Sequence, residues 1–241
     1  MPRWLSFLLF FCIFLAVWVS ANFYIFRRSW QALGSYPRLA GLKRWYVALA
    51  FFLASAYVAY RIVDNLEFAG KGFLFPLLAW TGSIWLGFAP YFLLTCLTID
   101  LARLGNRIFG YFPPAWAEEQ KRVRVRMTTA AVAVAVVALA NVAGFLNALR
   151  VEVRTVELSV NKSFEPTRLR IAVASDIHLG TVVGAARLAP IVEAINAQQP
   201  DLVLLPGDVV DEHLRLEIHH EICRLLGSIE SRLGVYGSTG N

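Results

Sequence analysis

Four long apolar stretches occupy most of the first 150 residues of this chain. At about 1.5 Å of rise per residue, each is long enough to cross the roughly 30 Å hydrocarbon core of a bilayer as an α-helix. Hydrophobic residues make up 57% of the 241 residues, which is too large a share for an ordinary soluble protein of this length. The predicted membrane spans are Trp4–Phe26, Trp45–Val63, Phe73–Ile99 and Thr128–Leu149.

The basic residues of the connections between the spans predict their orientation, because cytoplasmic connections carry an excess of Lys and Arg. The second connection offers only Lys71. The basic residues of the first and third connections are Arg27, Arg28, Arg38, Lys43 and Arg44, and Arg103, Arg107, Lys121, Arg122, Arg124 and Arg126. We therefore place these two connections in the cytoplasm, and the segment after Leu149 on the non-cytoplasmic side. The net charge of +6 mostly reflects this bias, so nucleic acid is not an expected partner.

Two further expectations concern the spans themselves. The first span is predicted to be an uncleaved anchor, since cleavage after Val19-Ser20-Ala21 would leave the arginine-rich first connection outside the cytoplasm. The fourth span is rich in Ala and Val and contains Gly144, and small side chains permit close helix contact. We therefore expect the fourth span inside the bundle and the bulky first span facing lipid.

From Arg150 onward the pattern becomes typical of an α/β domain. Alternating apolar residues between Val151 and Val160 predict a kinked strand. The next predicted elements are a strand at Arg170–Ala174, a helix carrying Leu188, Ile191, Val192 and Ile195, and an all-apolar strand at Leu202–Leu205, which the pattern predicts to be covered on both faces. A helix from about Leu216 to Arg232 follows, with Leu233 on its apolar stripe, and a further strand opens at Val235. This βαβαβ order predicts a parallel sheet.

Side chains with metal-binding chemistry follow each of the last three strands. The segments are Ser175–Gly180, Gly207–Asp211 and Gly240-Asn241. Because the carboxyl ends of parallel strands meet at one edge of a sheet, these segments should lie together. Asp176 and His178 can bind one metal ion, and Asp208 can bridge it to a second. Asn241 can supply an amide oxygen to that second ion.

This ligand set predicts a hydrolytic centre. Mixed oxygen and nitrogen ligands suit Mn, Fe or Zn better than Ca, and the absence of thiolates argues against a structural zinc site. Two such divalent ions about 3.5–4 Å apart can polarise a phosphoryl group and generate hydroxide at neutral pH.

The motifs D-x-H, G-D-x-x-D and G-N, in this order and spacing, resemble those of the calcineurin-like metallophosphoesterase family between Leu169 and Asn241. The resemblance implies that Asp176 and His178 bind the first metal, Asp208 bridges, Asn241 binds the second, and Asp211 supports the ligands without binding metal. It also implies a fold class: a multi-span α-helical membrane anchor over residues 1–149, followed by an incomplete α/β domain of the metallophosphoesterase type over residues 150–241.

The family pattern continues G-N-H-[DE], then a lone His, then G-H-x-H. The first of these histidines would be residue 242, so no residue of this chain is assigned as the catalytic His. We expect the chain as given to hold its ions weakly, to be catalytically incompetent by itself, and to expose an apolar sheet face after Val151 that favours aggregation.

The leading functional hypothesis is a membrane-anchored, metal-dependent phosphoesterase of the cell (inner) membrane. Its expected cofactors are two divalent metal ions, and its expected partners are the lipid bilayer and a phosphorylated small-molecule or lipid substrate. An alternative is a hydrolase similar to UDP-diacylglucosamine pyrophosphatase, which requires a cytoplasmic active site. A third is a transport or sensing bundle with a vestigial metallo-domain. The near-absence of ionisable residues in the spans, where Asn22, Asn141 and Asn147 are the notable polar groups, disfavours the third reading.

Overall fold

The computed structural model describes residues 2–65, 72–111, 119–161, 168–180, 182–210, 216–238 and 240. The chain divides into two compact units, Met1–Gly144 and Phe145–Asn241. The first unit is helical, and the second contains a small parallel sheet with helices. We describe each unit by itself.

The helices of the first unit are α1 (Arg3–Leu33), α2 (Pro37–Ala40), α3 (Lys43–Asn65), α4 (Leu74–Phe109) and α5 (Glu119–Ala148). Four are long and apolar enough to cross a membrane, which confirms the predicted anchor. Three of them extend well beyond the predicted spans, because nothing in the adjoining residues interrupts the helical backbone. α5 already begins at Glu119, ahead of the predicted start at Thr128. α1 continues past Phe26, and α4 continues past Ile99 until Gly110 adopts a left-handed conformation at φ 63°.

Buried polar side chains in this unit satisfy one another, as an apolar environment requires. Asn22 of α1 is buried and accepts a hydrogen bond of 2.8 Å from the indole N–H of Trp85 in α4. Its amide nitrogen donates to the backbone oxygen of Trp18, 2.9 Å away. The Trp18 indole in turn donates to the backbone oxygen of Ala54 in α3, also at 2.9 Å. These bonds connect α1 to both α3 and α4.

The closest helix approach lies between α3 and α4. A Cβ added at Gly82 would lie 2.5 Å from the backbone nitrogen of Tyr57, so only glycine fits at this crossing. By contrast, a Cβ at Gly144 would meet no atom within 4 Å. Val137 is the one buried side chain among those described in α5. The prediction that the fourth span lies inside the bundle is therefore wrong, because small residues permit close packing without requiring it.

The second unit contains β1 (Ile171–Val173), α6 (Ala185–Ala197), β2 (Leu202–Pro206), α7 (Leu216–Gly227) and β3 (Val235–Ser238). The strands form a parallel sheet in the order β1-β2-β3, with Ala172 paired to Val203 and Val203 to Val235. This confirms the predicted incomplete α/β architecture. The core of this unit is formed by buried residues of the sheet, its loops and the helices, including Ile177, Leu179, Leu188, Val192, Ile195, Val203, Leu205 and Ile222.

Three local predictions differ from the structure. Residues 151–160 form no strand, since among the described residues they have no strand partner to pair with. Helix α7 ends at Gly227 instead of continuing to Arg232, and Leu233 is exposed instead of lying on the buried stripe. Strand β2 is buried at Val203 and Leu205 only, so it is covered fully on one face rather than on both.

Asp201 ties together the ends of the strands that lie opposite the motif-bearing loops. Its carboxylate accepts hydrogen bonds from the backbone N–H of Arg170 at 2.9 Å and from Nε of Arg232 at 3.0 Å. The bond from Arg170, with a further contribution from Arg232, lowers the pKa of the Asp201 carboxyl below its usual value. The chain enters β1 and β3 next to these contacts.

We predict that Gly82→Ala destabilises the helical unit by about 1–3 kcal/mol, the usual cost of overpacking, because the added methyl overlaps the backbone of Tyr57. Gly144→Ala is the matched control and should be neutral or slightly stabilising. Thermal unfolding in detergent, followed by tryptophan fluorescence, measures both variants. Equal effects of the two substitutions would contradict the assigned helix crossing.

Candidate metal centre

The loops that follow β1 and β2 run side by side. The backbone N–H of His178 donates a hydrogen bond of 2.9 Å to the backbone carbonyl oxygen of Asp208. The backbone N–H of Leu179 donates to the backbone carbonyl oxygen of Val209 at the same distance. An isolated parallel bridge joins Leu179 to Val210. The parallel pairing of the sheet thus resumes beyond the strands and places the first two motifs next to each other.

Alternation along the first loop orients its polar side chains. Ile177 and Leu179 are buried in the core of the α/β unit. Asp176 and His178, the residues adjoining them, are exposed. Burying the two apolar side chains therefore turns the carboxylate and the imidazole to the solvent side of the loop. The D-x-H spacing places both groups on the same side.

The structure brings three of the predicted ligands together. One ligand atom from each of Asp176, His178 and Asp208 lies within 4.8 Å of the others. An ion bound to oxygen and nitrogen at about 2.0–2.2 Å needs ligand atoms no more than about 4.4 Å apart. The observed separation fits such an ion after a small rotation of the side chains. Asp208 is half-buried, and the other two ligands are open to solvent.

All three candidate ligands have a backbone conformation that residues other than glycine rarely adopt. The angle φ is 55° at Asp176, 53° at His178 and 45° at Asp208. The left-handed conformation costs a residue with a Cβ roughly 1–2 kcal/mol. Gln199 is the one other non-glycine residue with positive φ among those described. Backbone strain gathered at one cluster of chemically active side chains indicates a functional constraint.

Two glycines bring the loop after β3 against Asp208. A Cβ added at Gly240 would overlap the backbone nitrogen and Oδ1 of Asp208, and a Cβ at Gly207 would lie 3.1 Å from the Cα of Gly240. Both glycines also have positive φ, 72° at Gly207 and 75° at Gly240. Close approach of the second and third motifs therefore depends on glycine at both positions.

The predicted site residues fall into two groups. Asp176, His178 and Asp208 lie together at the carboxyl ends of β1 and β2, as the motif order predicted. Asp211 and Asn241 lie outside the described residues, so their assigned roles stay predictions. The motifs predicted neither the strained backbone of the three ligands nor the burial of Ile177 and Leu179, which orients them. The alternation in Asp-Ile-His-Leu was the signal for the second of these.

Comparison with known proteins agrees with this geometry. Residues 169–241 match the family profile described as calcineurin-like phosphoesterase. The chain is 30% identical over 230 residues to a transmembrane protein with metallophosphoesterase domain from Bos taurus, an alignment covering 91% of this chain and 49% of that relative. It is 40% identical over 107 residues to a protein of the same description from Danio rerio, covering 43% of this chain and 24% of the relative.

A further similar protein, an uncharacterized metallophosphoesterase from Aquifex aeolicus, is 30% identical over 93 residues, 39% of this chain and 34% of that protein. The chain therefore spans about half of the Bos taurus relative and less of the other two. No solved structure matches it significantly. The Bos taurus alignment is too long for the α/β unit alone, so it includes the membrane-spanning helices.

We predict that Asp176→Gly leaves the α/β unit more stable than Asp176→Ala by about 1 kcal/mol. Both variants lose the carboxylate, but only glycine adopts a φ of 55° without strain. Glu193, exposed within α6, provides the matched control, where Ala should be the more stable by a similar amount. Hydrogen exchange of the β2 amides in metal-free buffer measures all four variants. If the Ala variant were more stable than the Gly variant at both positions, the backbone at Asp176 would not be strained.

Proposed function

We propose that the protein is an anchored, metal-dependent hydrolase of phosphodiester or pyrophosphate bonds, because residues 169–241 match the calcineurin-like phosphoesterase profile and follow helices that are long and apolar enough to span a membrane. The observation that carries the proposal is the convergence of Asp176, His178 and Asp208 at the carboxyl edge of a parallel sheet. Sites of α/β proteins form at this edge.

The ligand chemistry supports a divalent metal centre. Two carboxylates and one imidazole offer oxygen and nitrogen atoms to an ion, a combination that suits Mn, Fe or Zn. Bound there, two divalent ions would polarise the phosphoryl oxygen and lower the pKa of a bound water molecule. The exposed positions of Asp176 and His178 leave the site open to substrate from the solvent side.

In our proposal the residues have distinct roles. Asp176 and His178 would hold the first ion, and Asp208 would contribute its carboxylate to both ions, so that its negative charge offsets the repulsion between two cations. Asn241 would bind the second ion through its amide oxygen, and Asp211 would support the ligands through hydrogen bonding. The contact between Gly240 and Asp208 supports this arrangement, since Asn241 is the next residue after Gly240.

We propose that the substrate is a lipid-linked or cell-envelope phosphodiester or pyrophosphate. An anchored domain meets such molecules in two dimensions, without a search through bulk solution. We propose that the α/β unit lies on the non-cytoplasmic face of the cell membrane, because basic residues are in excess in the first and third connections. A cytoplasmic site would instead favour a nucleotide-linked lipid substrate.

We predict that the complete gene product hydrolyses bis(p-nitrophenyl) phosphate and requires Mn²⁺ or Zn²⁺ to do so. Asp208→Asn should lower kcat/KM by more than about 100-fold, beyond the loss typical of a residue that only supports a metal ligand. Asp201→Asn is the matched control and should retain activity, because Asp201 lies at the other end of β2. Activity that survives both a chelator and Asp208→Asn would exclude the metal mechanism.

Reporter fusions test the orientation. A phosphatase reporter joined after Asn161 should be active, since we place that residue outside the cytoplasm, and a reporter joined at Arg122 should be silent. The fusion proteins must be present in equal amounts on immunoblots. The reverse activity pattern would overturn the proposed orientation and favour the nucleotide-linked lipid substrate.

A further inference from the structure

An open cavity of about 990 Å³ lies between three helices of the first unit. It is bordered by the C-terminal parts of α1 and α4 and by the N-terminal part of α5. These helix ends lie at the two connections richest in basic residues. The lining residues are distant from one another in the sequence, so no local sequence pattern predicts the cavity.

The lining of this basic cavity is amphipathic. Four arginines border it, namely Arg28 from α1, Arg103 from α4, and Arg122 and Arg126 from α5. The remaining wall includes the apolar residues Ala32, Ile99, Ala102 and Val125. The cavity therefore offers guanidinium groups together with an apolar surface of the kind that contacts hydrocarbon.

Asp100 of α4 holds two of these arginines in place. It accepts a hydrogen bond of 2.6 Å from the hydroxyl of Tyr24 and forms ion pairs with Arg28 and, at 3.4 Å, with Arg103. Arg28 also donates to Oε1 of Gln31 at 2.8 Å. On the α5 side, Arg126 lies 3.4 Å from the hydroxyl of Ser35. The arginines from α1 and α4 are thus positioned before any ligand binds.

The charges of the cavity are unbalanced. Four guanidinium groups line the cavity, and among the described side chains the carboxylate that pairs with them is that of Asp100, which reaches Arg28 and Arg103 but not the two arginines of α5. Arg122 has no hydrogen-bond or ion-pair partner within the described part of the chain. Such a concentration of positive charge is favourable only when an anion reduces the repulsion between the guanidinium groups.

We propose that this cavity is a binding site for a phosphate ester anion. Guanidinium groups bind phosphate through paired, charge-assisted hydrogen bonds, and arginines from three helices can reach several oxygens of one phosphate. The apolar wall would contact the hydrocarbon part of an anionic glycerophospholipid, whereas a soluble glycerophosphate would use the arginines alone. The phosphate ester is common to both sources, and none of the residues that line the cavity is a candidate metal ligand.

The experiment uses the purified 241-residue chain in detergent, analysed by native mass spectrometry. Phosphatidylglycerol and phosphatidylcholine with identical acyl chains are added in equal amounts, and sn-glycerol 3-phosphate is added in a separate arm. We expect phosphatidylglycerol to be retained about tenfold more than phosphatidylcholine, corresponding to about 1.4 kcal/mol. Binding of glycerol 3-phosphate with comparable affinity would identify a soluble phosphate ester as the source, and its absence would identify the lipid.

The double variant Arg122→Gln, Arg126→Gln should remove the preference for the anionic ligand. The matched control is Arg107→Gln, Arg124→Gln, which removes the same charge from the same connection without altering the cavity lining, and should keep the preference. Thermal unfolding verifies that both variants are folded, and the single variant Arg122→Gln, on an exposed side chain, should give a smaller loss. The proposal is overturned if the unmodified chain binds neither phosphate ester preferentially, or if the control loses the preference to the same extent.

Discussion

The hydrogen bonds that join β1 to β2 continue into the loops beyond both strands, and the candidate metal centre depends on this continuation. His178 and Leu179 donate to Asp208 and Val209, which holds the first two motifs in a fixed register. The register is in turn maintained by burial of Ile177 and Leu179 in the core. The same few residues therefore connect the hydrophobic core, the backbone pairing and the position of the candidate ligands. A one-residue shift would exchange the buried and exposed side chains and separate the carboxylates.

Stability and site geometry oppose each other at this edge of the sheet. Asp176, His178 and Asp208 all have positive φ, a conformation that each would leave if the surrounding structure allowed it. At the opposite end of the sheet, the carboxylate of Asp201 accepts well-placed hydrogen bonds from Arg170 and Arg232. The hydrogen bonds of Asp201 thus stabilise one end of the sheet, whereas the other end keeps a strained backbone that holds the candidate ligands together.

The helical unit follows a different physical rule. Its apolar surface gains little from contact between helices when lipid is the alternative, so close backbone approach and satisfied polar groups decide the packing. The close backbone approach occurs where Gly82 packs against Tyr57. The buried polar groups are satisfied by the hydrogen bonds that link Asn22 to Trp85 and Trp18. Near one end of the helices, Asp100 organises Tyr24 and Arg28 in the same manner. The basic cavity is a consequence of this polar packing.

The sequence by itself determined the class of the four long helices and of the βαβαβ elements. The lengths of the apolar stretches predicted four membrane helices, and the order of strands, helices and motifs predicted that Asp176, His178 and Asp208 would share one edge of a parallel sheet. These are local properties, because they depend on how much surface a segment must bury and on which backbone groups it must satisfy. The tertiary structure alone decided which surfaces meet. The close helix packing occurs at Gly82 and not at Gly144, and residues 151–160 have no strand partner among the described residues. The candidate ligands have left-handed backbone conformations, and arginines from three helices line one cavity. A local pattern specifies that a segment needs a partner, but the identity of that partner depends on residues distant in the chain.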